Sequence, residues 1–235
     1  MEPVKSLWIG ELSEMEKLTM RSYLKHGHPF HLYCYYKPRG VPDGVEVLDA
    51  DTIIPAKEVF KVRDGYSTFS DFFRWKLILD KGGWWTDLDA VCLRPFDFED
   101  DYVFFGGNGP VGSDDCISSG IFKAPAGSDV LQWAWLQCQM MNPATMLWGA
   151  AGPPLFTEAV HMFHLQKRIQ SGRKIFPIFY TYAPECFTKE GLQTGFPSDT
   201  YSVHLFNEMW RLAGADKNVI YPPSSLYELL KAQYA

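Results

Sequence analysis

Two aspartates, Asp87 and Asp89, stand one residue apart in "GGWWTDLDAV" (residues 82–91), behind two glycines and two tryptophans. In an extended segment side chains repeat with period two, so both carboxylates point to one side. Their repulsion must be relieved by solvent or by a cation. Carboxylate oxygens suit Mg2+ or Mn2+, ions that take one or two protein carboxylates and leave other positions to the phosphates of a substrate. The pattern admits two readings: a solvated turn, or ligands for a metal that arrives with a nucleoside diphosphate. Upstream, Asp71 and Arg74 are three apart and share one face of a helix. They read either as an ion pair, with Asp71 favoured by the helix N-terminus, or as a carboxylate and guanidinium gripping sugar hydroxyls.

The elements that must carry these residues follow from periodicity. "KSLWIG" (5–10) predicts a buried strand, and "LSEMEKLTMRSYLKHG" (12–27) a helix with a Ser13/Glu16 capping box and Gly27 at its stop. "FHLYCYY" (30–36) and "VEVLDA" (45–50) predict two further strands. Strand, helix, strand in that order implies a right-handed parallel unit. "SDFFRWKLILDKGG" (70–83) predicts a helix with Ser70 as N-cap and Gly82 as stop. Later strands are expected in "DYVFFGG" and "CISSGIFKAP", and helices over 128–141, 157–170 and 224–233. The expected fold class is α/β, one domain over 1–235 with a less regular C-terminal part.

Composition narrows the partners. With 46% hydrophobic and 16% aromatic residues the chain can build a core without disulfides. A net charge of −6 argues against nucleic acid, which needs a basic face. It also disfavours simple docking on anionic lipid, although a local patch could still dock. The five cysteines (Cys34, Cys92, Cys116, Cys138, Cys186) have no zinc spacing and, being odd in number, fit a disulfide framework poorly. They read as buried or half-buried thiols of a reducing compartment. No signal peptide is visible, and no apolar run approaches the roughly 20 residues of a membrane span. The expectation is a cytoplasmic protein.

Ser70-Asp71-x-x-Arg74, a helix's length of residues, and then Gly-Gly-x-x-x-Asp87-x-Asp89 together resemble the signature of glycosyltransferases with a DXD sugar-binding region. The resemblance is to the group of yeast initiating mannosyltransferases and bacterial polysaccharide and lipo-oligosaccharide transferases, and more distantly to the clostridial glucosylating toxins. "LWIG" (7–10) resembles the group's first-strand motif and "HLFNEMW" (204–210) its closing motif. The resemblance implies a GT-A fold, a Rossmann-like nucleotide-sugar half (mainly 1–100) merged with an acceptor half (101–235). It implies that Trp8 packs near the nucleobase and Ser70 contacts the donor nucleotide. Asp71 and Arg74 would hold the donor sugar, Asp87 would face ribose and sugar, and Asp89 and His204 would ligate Mn2+ or Mg2+. Asn207 and Trp210 would close over the diphosphate, where an indole N–H is a suitable donor to an anionic oxygen. In the distant toxins a carboxylate takes the place of His204; the softer imidazole favours Mn2+.

The implied reaction moves a hexose, with retained anomeric configuration, from a nucleoside diphosphate sugar to a saccharide, lipid-linked or other hydroxyl acceptor. A uridine donor is favoured, and peripheral membrane association is compatible with it. No nucleophile is nominated; Asp114 and Asp115 could approach the sugar. A metal-dependent phosphohydrolase would want Ser or Thr two residues after the second aspartate, where Val91 stands. A non-catalytic sugar-nucleotide-binding module is the third reading. The histidines His26, His28 and His31, and the pair His161 and His164, read as structural. "GGNGPVG" (106–112) lacks the Lys-Ser/Thr of a phosphate loop and reads as a loop near the acceptor entrance.

Overall fold

The computed structural model describes residues 1–106, 116–191 and 195–235. Asp114, Asp115 and most of the glycine-rich 106–112 segment lie outside the described residues.

The chain opens with β1 (Val4–Trp8), α1 (Glu14–Lys25), β2 (Phe30–Cys34) and β3 (Val45–Asp49). The capping box forms as expected: Ser13 accepts from Met15 N–H, and the Ser13 N–H donates to Glu16. Ser13→Ala should lower stability by about 1 kcal/mol, read as a lower urea midpoint at unchanged slope. A change within error would mean that tertiary packing alone holds the start of α1.

After two 3-10 turns comes α2 (Ser67–Lys81), then β4 (Gly83–Thr86) and β5 (Ala90–Cys92). The start of α2 corrects the sequence expectation. The helix begins three residues before Ser70, with Tyr66 in the cap position. Ser70 is thus a helical residue facing Arg74 rather than an N-cap. Gly82 closes the helix at φ +62, where an added Cβ would come within 2.6 Å of the Ala126 backbone nitrogen, so only glycine fits.

The remaining elements are β6 (Phe104–Gly106), β7 (Ile121–Ala124), α3 (Asp129–Met140), α4 (Pro153–Met162), β8 (Ile169–Ser171), α5 (Glu185–Thr188), β9 (Ser202–His204), α6 (Asn207–Ala213) and α7 (Leu226–Gln233). The helix expected over 157–170 is α4, displaced upstream. Pro153 opens it, and His164 at φ +56 stands just past its end.

Among the described residues the main sheet has five strands in the order β3-β2-β1-β4-β7. β1, β2, β3 and β4 run parallel, and β7 is antiparallel beside β4. The chain winds outward from β1 to β3, then returns to place β4 on the other side of β1. That reversal falls between β1 and β4, whose carboxyl ends mark the position where open α/β sheets bind ligands. Trp8 ends β1 and Asp87 directly follows β4. Two short ladders, β5 with β9 and β6 with β8, extend the structure past the sheet.

The core is aromatic. Trp75 of α2 packs on Phe122 and Phe156, joining helix, sheet and α4, and its indole N–H donates to the Ala151 carbonyl at 2.8 Å. His28 is a core group that accepts from Phe96 N–H at 2.9 Å, while His26 bonds the Tyr234 hydroxyl and His31 pairs with Glu46. All five cysteines are free thiols, three buried and two half-buried. No helix among the described residues is long and apolar enough to cross a membrane.

Candidate metal and donor site

The acidic pair does converge, by a different route from the one its spacing suggests. Residues 87–89 are a turn rather than extended backbone, with the Ala90 N–H donating to the Asp87 carbonyl. The turn leads straight into β5, whose Ala90 lies opposite His204 of β9. The Leu205 N–H donates to the Asp89 carbonyl at 2.7 Å, fixing the two segments side by side. Sequence positions more than a hundred residues apart are thus joined by one two-stranded ladder.

Asp89 receives a hydrogen bond from each side. His204 Nε2 lies 2.7 Å from Oδ1, and the Asn207 N–H donates to Oδ2 at 2.8 Å. Asn207 is the first residue of α6, entered through Phe206 in the left-handed region at φ +57. Burial pushes the Asp89 carboxyl up, but His204 and the Asn207 N–H outweigh it and hold the group below the ordinary carboxylate range. Burial pulls the imidazole of His204 down, and Asp89 overcomes that and raises it.

Arg74 organises the other half of the site. It is 4% exposed, and its guanidinium donates to the Ser119 carbonyl at 2.5 Å and to the Ser119 hydroxyl at 2.9 Å. It also donates to the Ser70 carbonyl and hydroxyl, one turn back on α2. Asp71 lies 3.3 Å and Asp87 3.1 Å from Nη2, and the guanidinium stacks on Trp85 at 5.0 Å. Asp87 also accepts from the Trp85 indole at 3.0 Å. Burial raises Asp71 to about 7, with Arg74 opposing and Asp87 adding to the rise. Asp87 is raised by burial first, with Arg74 opposing and Asp89 adding to the rise. Two glycines make room for these carboxylates. A Cβ on Gly152 would fall 2.9 Å from Asp71, and one on Gly120 would fall 3.0 Å from Asp87.

Six of the nine residues singled out in the sequence therefore form one continuous polar group: Ser70, Asp71, Arg74, Asp87, Asp89 and His204. Asn207 joins it through its backbone N–H. Trp8 stands at the end of β1, half-buried, with its indole N–H on the Glu11 carbonyl and the Lys217 ammonium 5.6 Å from its ring. Trp210 is a correction. It is fully enclosed, packs on Phe187, Tyr221 and Tyr227, and donates its indole N–H to the Leu205 carbonyl at 2.8 Å. With its donor used internally, it anchors α6 rather than meeting a diphosphate. Ser119, Gly120 and Gly152 were not legible as site residues, because only the fold brings them to Arg74 and the carboxylates.

No family model matches the chain, and no curated protein matches it. Among solved structures it is similar to the PaToxG glycosyltransferase, with a TM-score of 0.50 and 14% identity over 68% of each chain. The fold is a glycosyltransferase fold. It is an α/β architecture of the GT-A type, with a mixed sheet flanked by helices. The glycosyltransferase GlyE of Streptococcus pneumoniae TIGR4 aligns at 11% identity and a TM-score of 0.47, over 99% of this chain and 63% of that one. The chain thus spans about two thirds of the length of either structure.

A divalent metal fits the residues present. One ligand atom from each of Asp87, Asp89 and His204 lies within 4.8 Å of the others. Two neighbouring ligands of an octahedral ion at about 2.1 Å sit about 3 Å apart, close to the present 2.7 Å between Asp89 and His204. Two carboxylates with one imidazole suit Mn2+ better than Mg2+. The second nitrogen of His204, Nδ1, is buried with no hydrogen-bond partner among the described residues. Ligating histidines ordinarily have that nitrogen bonded, so His204 is oriented here by packing against Phe176 and Phe206.

Proposed function

We propose that the chain is a metal-dependent retaining glycosyltransferase that moves a hexose from a nucleoside diphosphate sugar to a saccharide, lipid-linked or other hydroxyl acceptor. A UDP-sugar is the favoured donor and Mn2+ the favoured ion, as in the family 32-like transferases that the sequence resembles. The observation that carries the reading is the convergence of Asp87, Asp89 and His204 beyond the carboxyl end of β4, at the strand-order reversal of this fold.

In transfer the bond between the anomeric carbon and the diphosphate oxygen breaks, and its electron pair leaves with the diphosphate. A bond from the acceptor oxygen to the anomeric carbon forms, and the acceptor's proton goes to a departing phosphate oxygen or to solvent. A bound divalent ion would neutralise charge on the leaving diphosphate. Asp89 and His204 would hold it, with Asp87 completing the protein's share. Arg74, already fixed by Ser70 and Ser119, presents Asp71 and Asp87 as acceptors for sugar and ribose hydroxyls. Trp8 offers its ring to the nucleobase. We place the reaction on the cytoplasmic side of the membrane, where the five free thiols are stable. In this reading residues 1–235 act as one unit, with the donor bound mainly by the first hundred residues.

A thermal-shift panel tests this. UDP-glucose, UDP-galactose, UDP-N-acetylglucosamine and GDP-mannose are each added with and without Mn2+. One donor should raise the melting temperature when the metal is present, since a ligand at 100 times its Kd adds about 2.7 kcal/mol. A panel in which no nucleotide sugar shifts the midpoint in Mn2+ would overturn the assignment.

A further inference from the structure

Beside the donor carboxylates lies a surface that the site described so far does not use. Residues 147–152 end the connection from α3 to α4, and Gly152 presses against Asp71. The segment is held by successive turns, Ala150 N–H to the Leu147 carbonyl and Gly152 N–H to the Gly149 carbonyl, and by the Trp75 indole on Ala151. Its outer part carries Leu147 and Trp148, 77% and 44% exposed. A surface indole ordinarily swings, but this one is pinned. Its N–H donates to the Ser67 hydroxyl at 3.0 Å, one turn before Asp71 on α2.

Arg63 stands against the same ring, its guanidinium carbon 5.9 Å from the centroid. It sits at the tip of a tight turn: Arg63 and Asp64 are both left-handed, and Val62 and Gly65 exchange backbone hydrogen bonds at 3.1 Å each. The charge on Arg63 contributes to lowering the Glu208 carboxyl of α6, after the larger effect of Arg211. Arg63 therefore stands against a ring that is itself tied to α2 one turn before Asp71.

We infer that Trp148 and Arg63 form the acceptor subsite, binding a saccharide with its C–H face on the indole and its hydroxyls on the guanidinium. This rests on the transferase reading above. A rigid aromatic ring beside charged and hydroxyl groups suits a sugar, which is apolar on its face and polar at its rim. A lipid surface is disfavoured by the chemistry around the ring. The turn that carries Arg63 also carries Asp64, and the whole chain has a net charge of −6. The pinned indole would hold the acceptor one helical turn from Asp71, within reach of a donor sugar held by Asp71 and Arg74.

The test is a binding titration that needs no knowledge of the natural acceptor. Maltose, cellobiose, lactose and N-acetyllactosamine are titrated into the protein with UDP and diamagnetic Mg2+ present, while the indole N–H resonances are followed by NMR. At least one disaccharide should shift the Trp148 signal saturably. Trp148→Ala should weaken that binding at least tenfold, Trp148→Phe should retain most of it, and Leu136→Ala, on an exposed part of α3, should leave it unchanged. Overturning results are a Trp148 signal that no disaccharide moves, or equal affinity in wild type and Trp148→Ala. Trp148-dependent binding to phosphatidylglycerol vesicles in place of sugars would also overturn it. UDP and Mg2+ titrated alone into the wild type report on the transferase reading separately, so failure of one is distinguishable from failure of the other.

Discussion

Asp89→Asn should reduce metal-dependent release of nucleoside diphosphate from the donor by about a thousandfold or more. A Lewis acid on the leaving group supplies several kcal/mol, and each 1.36 kcal/mol is a factor of ten. The substitution keeps the shape of the side chain and one acceptor oxygen. That oxygen can still take the Asn207 N–H, while the amide nitrogen faces His204 and demands the opposite tautomer of the imidazole. The ladder between β5 and β9 is bonded through the backbone and should persist, so the melting temperature should fall by only a few degrees. The Mn2+ titration is the decisive measurement. Near-normal turnover in a folded variant would remove Asp89 from the metal site. His204→Ala should have the milder effect of raising the Mn2+ concentration for half-maximal turnover, because two carboxylates remain.

What the sequence made legible was local. The Ser13 box, the Gly82 stop and the parallel order of the first strands each depend on a few neighbouring residues, and each is present. The misplacements have equally local causes. Ser70 looked like a cap because a serine precedes Asp71, yet Ser67 and Thr68 continue the helix back to Tyr66. The start of α4 was signalled by Gly152-Pro153-Pro154, a stronger mark than the Thr157 at which the helix was expected to begin. At the site, Asp71, Arg74, Asp87 and Asp89 were legible because their side chains carry their chemistry within a stretch of twenty residues. Ser119 and the Asn207 N–H were not. A serine hydroxyl and a backbone amide become site groups only through long-range contacts, 45 residues apart in one case and 118 in the other. Trp210 was misread for the converse reason: an indole that looks available in sequence has its donor consumed five residues away.

The buried guanidinium sets the second large effect. Arg74→Met should destabilise the protein by about 3–5 kcal/mol, the cost of leaving one side of a buried ion pair uncompensated. Asp71 and Asp87 would face each other without their shared cation, and the Ser119 hydroxyl and carbonyl would lose theirs. Asp71→Asn is the informative partner. In the wild type burial lifts Asp71 to about 7, above the ordinary aspartate value of its unfolded state. Between those two values the native state binds the extra proton, so the contribution of Asp71 to stability is fully present in acid and is lost as pH rises toward 7. Asparagine, always neutral, escapes that loss. Asp71→Asn should therefore be more stable than wild type at pH 8 in the absence of metal, with the advantage shrinking steadily toward pH 4. In the Arg74→Met background the same change should recover part of the lost stability near pH 8, because Asp71, no longer held down by the guanidinium, must take up a proton to stay buried. Urea midpoints of the four proteins across this pH range measure both effects. An Asp71→Asn advantage independent of pH would show that the wild-type carboxyl is ionised throughout, and Arg74 would then be its full counterion rather than a charge shared with Asp87.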